Sequence, residues 1–329
     1  MTQPAPDPAA LRAALTASPA LCPLEWNSDR SAVLFGRLNE AEYHAASFLD
    51  RRALPPAAAT GVVPWSLAEP WLGSLPRSCD YIFHISHCGS TLLSRLLGSH
   101  HKTLAIREPG ILRGLRRADS EARVDATVSL LSRRFRPGQR PLVKATSVVN
   151  AVAERLIERT PDARAILICI PAPTFLATVL DGSQSDIAAH AAERHERLVE
   201  WGLTAPDQPA ATLGEQAAAA WLCEMAALRG VAARFPGRVH WIDFDQFLTE
   251  PTGPLAKACA FLGQDADVHE ILASPLMHRY AKQTDVPYDA AFRERLLVAA
   301  RDRLDSEITS GTNWLKSHGW ADTPPCVIS

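Results

Sequence analysis

Between Tyr81 and Leu97 a run of small and polar residues, Ser86-His87-Cys88-Gly89-Ser90-Thr91-Leu92, separates an apolar stretch from one with helical spacing. A strand that runs into such a loop and then a helix brings several backbone N–H groups to one point. The first amides of the helix lack partners and carry the positive end of its dipole, so an anion fits there. Gly89 lets the backbone approach closely, and the hydroxyls of Ser90 and Thr91 can donate to phosphate oxygens. The same two residues can instead cap the helix, and the residues alone leave the anion seat and the capped turn level. The segment has no GK[ST], so an ATP-using phosphotransferase would lack its usual phosphate lysine.

Other chemistry-bearing residues fall nearby in sequence order. Arg95 lies one helical turn beyond Thr91, on the loop's side of the helix, or else simply faces solvent. Glu108-Pro109 follows a short apolar run, where Pro109 fits a first helical position and Glu108 suits the helix dipole. Lys144 closes another such run. In a parallel sheet the carboxyl ends of strands line the ligand crevice, which makes Lys144 a candidate for charge stabilisation as well as a plain surface lysine. His190, Glu193 and His195 meet neither HExxH nor HxxEH spacing, and no metal is expected.

The elements that must position these groups alternate in type. Tyr81–Ile85, Lys102–Ile106, Pro141–Lys144, Ala163–Ile170 and Val239–Phe244 read as strands. Ala165–Ile170 has no polar alternation, which predicts burial on both faces of a parallel sheet. Between them, Thr91–Ser99, Glu121–Arg134 and Ala151–Arg159 have helical character, the last with Asn150 available as N-cap. Thr212-Leu213-Gly214-Glu215 matches a capping box that opens a helix to about Phe235, and Pro254–Leu262 reads as a helix closed by Gly263. The alternation predicts an α/β fold with helices on both faces of a parallel sheet. Residues 1–75, rich in Ala and Pro, offer short helices at Arg12–Leu15 and Ala41–Arg52. They read as an extension packed on or over the active face, with 76–329 as the α/β domain.

With 329 residues, 47% of them hydrophobic and 21% charged, the chain can bury an ordinary core. A net charge of −2 gives no global attraction to nucleic acid, and no nucleic-acid partner is expected. The most apolar run, Ala163–Leu180, is interrupted by Pro171 and Pro173, so no membrane span is expected. Seven dispersed cysteines without a CxxC pair suit a reducing compartment, and the N-terminus does not read as a signal peptide. The location expected is cytoplasmic.

Phe83-His84-Ile85-Ser86-His87-Cys88-Gly89-Ser90-Thr91-Leu92-Leu93 resembles the phosphosulfate-binding loop of sulfotransferases. In that family a hydrophobic strand leads into Arg/Lys-Ser-Gly-Ser/Thr-Thr-Leu-Leu. Arg107-Glu108-Pro109, Arg164–Thr178 and Trp241–Leu248 through Phe261-Leu262-Gly263 fall in the family's order, so the resemblance spans roughly Asp80–Gly263. It implies a three-layer α/β sandwich with a central parallel sheet and a P-loop-like loop. The implied reaction moves a sulfuryl group from 3′-phosphoadenosine 5′-phosphosulfate (PAPS) to a hydroxyl or amine, leaving 3′,5′-adenosine bisphosphate (PAP). On this resemblance Ser86–Leu92 and Arg95 would bind the donor. Glu108 would be the general base, with His87 in the place of the family's cation and Lys144 in support. Cys88 stands where the family has Ser, as a small residue. The acceptor, a small molecule or peptide, is left open, as is the oligomeric state.

The resemblance breaks after the strand Ala165–Cys169. There the family places Arg-Asp-Pro and a later serine, whose side chains bind the donor's 3′-phosphate. Here Ile170 replaces the arginine, and Thr178 stands in for the serine. A lost charge-assisted hydrogen bond to phosphate costs about 1.5–3 kcal/mol. Arg279 and Lys282 are candidates to compensate. The alternative is a non-catalytic or accessory binding protein that kept the loop and lost the 3′-phosphate site.

Overall fold

The computed structural model describes residues 7–55, 58–182, 184–280, 283–287 and 290–320, without the side chains of 278–280 and 283–287. Its main strands are β1 (Leu21–Trp26), β2 (Ala32–Arg37), β3 (Thr60–Pro64), β4 (Asp80–His84), β5 (Thr103–Arg107), β6 (Arg140–Lys144), β7 (Ala165–Cys169) and β8 (Val239–Asp243). The last five form one sheet in the order β5-β6-β4-β7-β8. Every neighbouring pair in it runs parallel. All residues of β4 and β7 are buried, as unalternating apolar strands are when both sheet faces are covered.

The expected parallel α/β sheet is therefore present, flanked by helices that include Ser90–Leu97, Ala172–Gly182 and Leu213–Arg234. From β4 the chain builds first to one side, through β5 and β6, and then to the other, through β7 and β8. That makes β4 the topological switch point, and in open parallel sheets ligands bind in the crevice beyond the carboxyl end of such a strand. The capping box forms as read, with Thr212 Oγ1 accepting from the Glu215 N–H at 3.1 Å. Gly263 closes the helix Thr252–Leu262 with φ 70°, as a left-handed C-terminal residue should.

Two local readings need correction. Asn150 caps no helix. It lies in the 3-10 stretch Ser147–Val152, with the α-helix beginning only at Ala153, and its amide is used elsewhere. Residues 1–75 hold more than short helices, because β1, β2 and β3 form an antiparallel sheet. Pro23 hid β1 in the sequence. The strand lies at an edge and its register shifts between Pro23 and Glu25, where proline is tolerated.

Two buried arginines of the following chain tie this region down. Arg107 Nη1 donates to the carbonyls of His44 and Ala46 at 3.0 and 2.9 Å. Arg133 donates to those of Leu15, Ser18 and Leu21 at 2.9, 2.8 and 2.9 Å. Burial, with Arg95 alongside, pushes the Arg107 guanidinium down to about 10. Arg107 thus spends its guanidinium on the backbone of the N-terminal region.

Cys22, Cys79, Cys88, Cys223 and Cys259 are free and buried. Among the described residues no helix is long and apolar enough to cross a membrane.

Candidate functional site

The loop Ile85–Gly89 leaves the carboxyl end of β4 and enters the helix Ser90–Leu97, whose N-cap is Gly89. No side chain caps this helix, so the capping role open to Ser90 and Thr91 is not taken up. Their hydroxyls bond to no described residue, and the N–H groups of Gly89, Thr91 and Leu92 donate to none. These amides stand at the start of a helix and stay available for an anion.

The loop is held in costly backbone conformations. Gly89 has φ 68°, and Ser86 and His87 are left-handed without being glycine, at φ 73° and 48°. Such residues cost about 1–3 kcal/mol each and persist where the surroundings over-determine them, often at ligand sites. Part of the bracing is visible: the Ser86 N–H donates to His84 Nδ1 at 3.0 Å, and Phe244 packs directly on Gly89. Burial pushes the Cys88 thiol up to about 12, so Cys88 acts as a small residue.

Glu108 is also left-handed, at φ 44°. Its side chain meets Lys144 in an ion pair, and Arg113 stands 3.6 Å from its other oxygen. Lys144 is only 1% exposed and Glu108 12%, so the pair is desolvated. Parallel pairing of β5 with β6 sets Arg107 beside Lys144, and the Glu108 N–H donates to the Lys144 carbonyl at 2.7 Å. The structure thus brings together the two residues that the sequence offered as base and supporting cation.

Beside the loop lies a cavity of about 380 Å³ lined by Ser86 and His87, by Arg113, by Phe175 and Val179, and by Asp186, His190, Arg194 and Glu224. Of the candidates read from the sequence, only Ser86 and His87 line it, and Glu108 meets its wall through Arg113. Arg95 turns instead to Ser47, donating at 2.8 Å. Thr178 spends its hydroxyl on the Thr174 carbonyl at 2.8 Å. Ile170 is fully buried, and its carbonyl accepts from Trp221 Nε1 at 3.1 Å. Its side chain belongs to the core and supplies no charge where the family pattern has arginine. Arg279 lies in a two-residue strand, its side chain not described, and Lys282 is outside the described residues. Among the described residues no group of His, Cys, Asp and Glu is placed to hold a metal.

Several residues of the site escaped the sequence reading. Asn150 Nδ2 donates to the His84 carbonyl at 3.0 Å and to Glu224 Oε2 at 2.9 Å, which ties a buried carboxyl to the root of the loop. Arg293, 8% exposed, pairs with Asp245 at 2.7 Å, and its guanidinium carbon lies 5.3 Å from the Phe244 ring centroid. A signal for Glu224 did exist. A carboxylate inside the apolar run Trp221-Leu222-Cys223-Glu224-Met225 is seldom buried without a purpose.

Burial raises the Glu224 carboxyl above its ordinary 4.5, although Arg197 at 3.7 Å pulls the other way. The folded chain then keeps a proton that the unfolded chain releases, so stability falls as pH rises from 4.5 towards the raised value. Glu224→Gln, which keeps an oxygen for Asn150, is expected to remove this component. Melting curves of the two proteins should converge at acid pH and separate in favour of the variant as pH rises. Parallel curves would show that Glu224 titrates normally.

No family model matches the chain, and no curated protein matches it. Solved structures similar to it include the sulfotransferase domain from the curacin biosynthetic pathway, at 14% identity and a TM-score of 0.41, over 76% of this chain and 100% of that one. A sulfotransferase from Mycobacterium tuberculosis H37Rv is similar at 11% identity and TM-score 0.43, over 71% and 80%. Retinol dehydratase in complex with retinol and PAP is similar at 12% identity and TM-score 0.35, over 87% and 96%. Likenesses of this degree leave the reaction and the residue roles to the geometry of the site.

Proposed function

We propose that the chain is a divergent sulfotransferase that moves a sulfuryl group from PAPS to a hydroxyl or amine. The observation that carries this reading is the loop itself. Its uncapped amides lie at the switch point of a parallel sheet, beside a cavity whose wall includes Arg113, a neighbour of the braced carboxylate of Glu108. When bound, PAPS supplies the sulfuryl group and leaves as the adenosine bisphosphate.

The protein's own part is alignment and charge. The N–H groups of Gly89, Thr91 and Leu92, with the Ser90 and Thr91 hydroxyls, would hold the 5′-phosphosulfate, and His87 would donate to it from the loop's edge. Glu108 would take the acceptor's proton. Lys144 and Arg113 would hold that carboxylate in place, and Lys144 adds positive charge at the carboxyl end of β6. The residues fit the 5′ side of the nucleotide. On the 3′ side Ile170 and Thr178 do not reproduce the family pattern, which favours the second reading, a nucleotide-binding protein without turnover.

Calorimetric titration with 3′,5′-adenosine bisphosphate tests the proposal. Saturable binding is expected, together with transfer of labelled sulfate to an acceptor. Binding without transfer to any acceptor supports the second reading. Absence of heat or thermal shift at millimolar bisphosphate would remove the donor assignment, and magnesium-dependent ATP binding would point to phosphoryl transfer instead.

A further inference from the structure

The cavity beside the loop holds charge that the reaction outlined above does not use. Its cations differ in their pairing. Arg113 stands 3.5 Å from Asp50 and 3.6 Å from Glu108. Arg194 lines the same cavity, and its side chain's one hydrogen bond to a described residue is a long one, 3.4 Å to the Ile187 carbonyl. It makes no ion pair with any described residue, and Asp186 in the same wall does not approach it closely enough to pair. The neighbouring Arg197 faces Glu224 at 3.7 Å, so that carboxylate has its own cation. An arginine stays charged at any working pH and presents a fork that matches planar anions. Half-buried in a concave site, Arg194 adds to the positive field on Glu224 but has no carboxylate in direct contact, which leaves its fork open to an anionic group.

Glu224 sets a second condition at the same cavity. Its carboxyl is 2% exposed, and Oε2 accepts from Asn150. Oε1 has no hydrogen-bond partner among the described residues. A buried acceptor left so is costly, and an O–H or N–H from a ligand would satisfy it. Phe175 and Val179 give the same cavity an apolar wall. The volume of about 380 Å³ sits within the small-molecule range.

We infer that the acceptor is a small organic anion, its carboxylate or like group held by Arg194, with a polar group other than the one that reacts at Glu108 turned towards Glu224. The inference rests on the reading of this site as a sulfuryl-transfer site, with the acceptor in the cavity and the donor on the loop. It excludes neutral lipid alcohols, which would leave Arg194 desolvated and unpaired.

The test uses the full chain saturated with adenosine bisphosphate, so that the loop cannot itself collect the probe anion. The probes are 3-(4-hydroxyphenyl)propionate and its neutral amide, and binding is read by calorimetry. The acid is expected to bind roughly 10- to 100-fold more tightly than the amide, the span of one charge-assisted contact. Arg194→Gln should bring the two to the same affinity, with bisphosphate affinity and melting temperature unchanged. Equal affinities in the wild type, no binding of either probe, or a preference that survives Arg194→Gln would each overturn the inference. Failure of the bisphosphate to bind, with the acid preference intact in its absence, would instead overturn the donor reading.

Discussion

Glu108→Gln is expected to lower turnover by roughly 10²–10⁴-fold while leaving the affinity for adenosine bisphosphate unchanged. Gln keeps the shape and loses the proton acceptor, and the loop that would bind the nucleotide does not touch the changed group. A second effect must be separated from the first. Lys144 is 1% exposed and paired with Glu108, so removing the charge of Glu108 leaves a buried ammonium without that partner. Breaking such a pair costs about 3–5 kcal/mol, whereas replacing both members with neutral groups is often neutral or stabilising. The single variant should therefore melt early. The double variant Glu108→Gln/Lys144→Met should regain most of that stability without regaining turnover. Activity measured well below the melting point, with bisphosphate affinity as a check on folding, distinguishes the cases. A fully active single variant, or a double variant that recovers activity with its stability, would show that Glu108 only anchors Lys144.

The central sheet was legible because its strands carry their burial in their composition. Tyr81-Ile82-Phe83 and Ala165–Cys169 have no polar face, and such runs belong in the middle of a parallel sheet. The structure puts both there, side by side. Caps and stops were legible for the same local reason, since the Thr212 box and Gly263 act through neighbours in sequence. The N-terminal sheet was not. In β1 the apolar pattern is broken by Pro23 and a register shift, and in β3 only Val63 is buried. Strands that gain their place by pairing across many residues leave little periodicity to read.

The site divided along the same line. The loop is contiguous, so its chemistry could be read from the order Gly89-Ser90-Thr91. Arg95 was placed by helical spacing and Thr178 by the family's pattern, and neither says what a side chain meets. Arg95 finds Ser47, from a segment far away in sequence, and Thr178 finds its own helix. Asn150, Arg194 and Glu224 come from three separate elements that only the fold brings to one cavity or its wall. None of them forms a motif with another. Ile170 is the instructive departure. The sequence has no charge where the pattern it resembles has arginine, and the structure puts the Ile170 side chain wholly in the core.

Gly89→Ala is expected to abolish nucleotide binding and to destabilise the chain by about 2–5 kcal/mol. Two costs combine in that figure. A left-handed conformation costs a residue with a Cβ about 1–2 kcal/mol, and Gly89 has φ 68°. Overpacking a filled site costs about 1–3 kcal/mol, and the new Cβ would stand 1.9 Å from the Phe244 ring. The ring cannot move aside cheaply, since Phe244 is 1% exposed and lies against Phe247, with Arg293 beside it. The loop must therefore shift, and with it the amides of Gly89, Thr91 and Leu92. A double-mutant cycle with Phe244→Ala isolates the steric part. Phe244→Ala alone should cost about 3–5 kcal/mol, but in that background Gly89→Ala should cost only its left-handed share. Urea unfolding of the four proteins would measure a coupling of about 1–3 kcal/mol. Strict additivity would mean that contact with the ring is not what requires glycine here. The double variant should still bind the bisphosphate poorly if the left-handed turn, rather than the room above it, is what aims the amides.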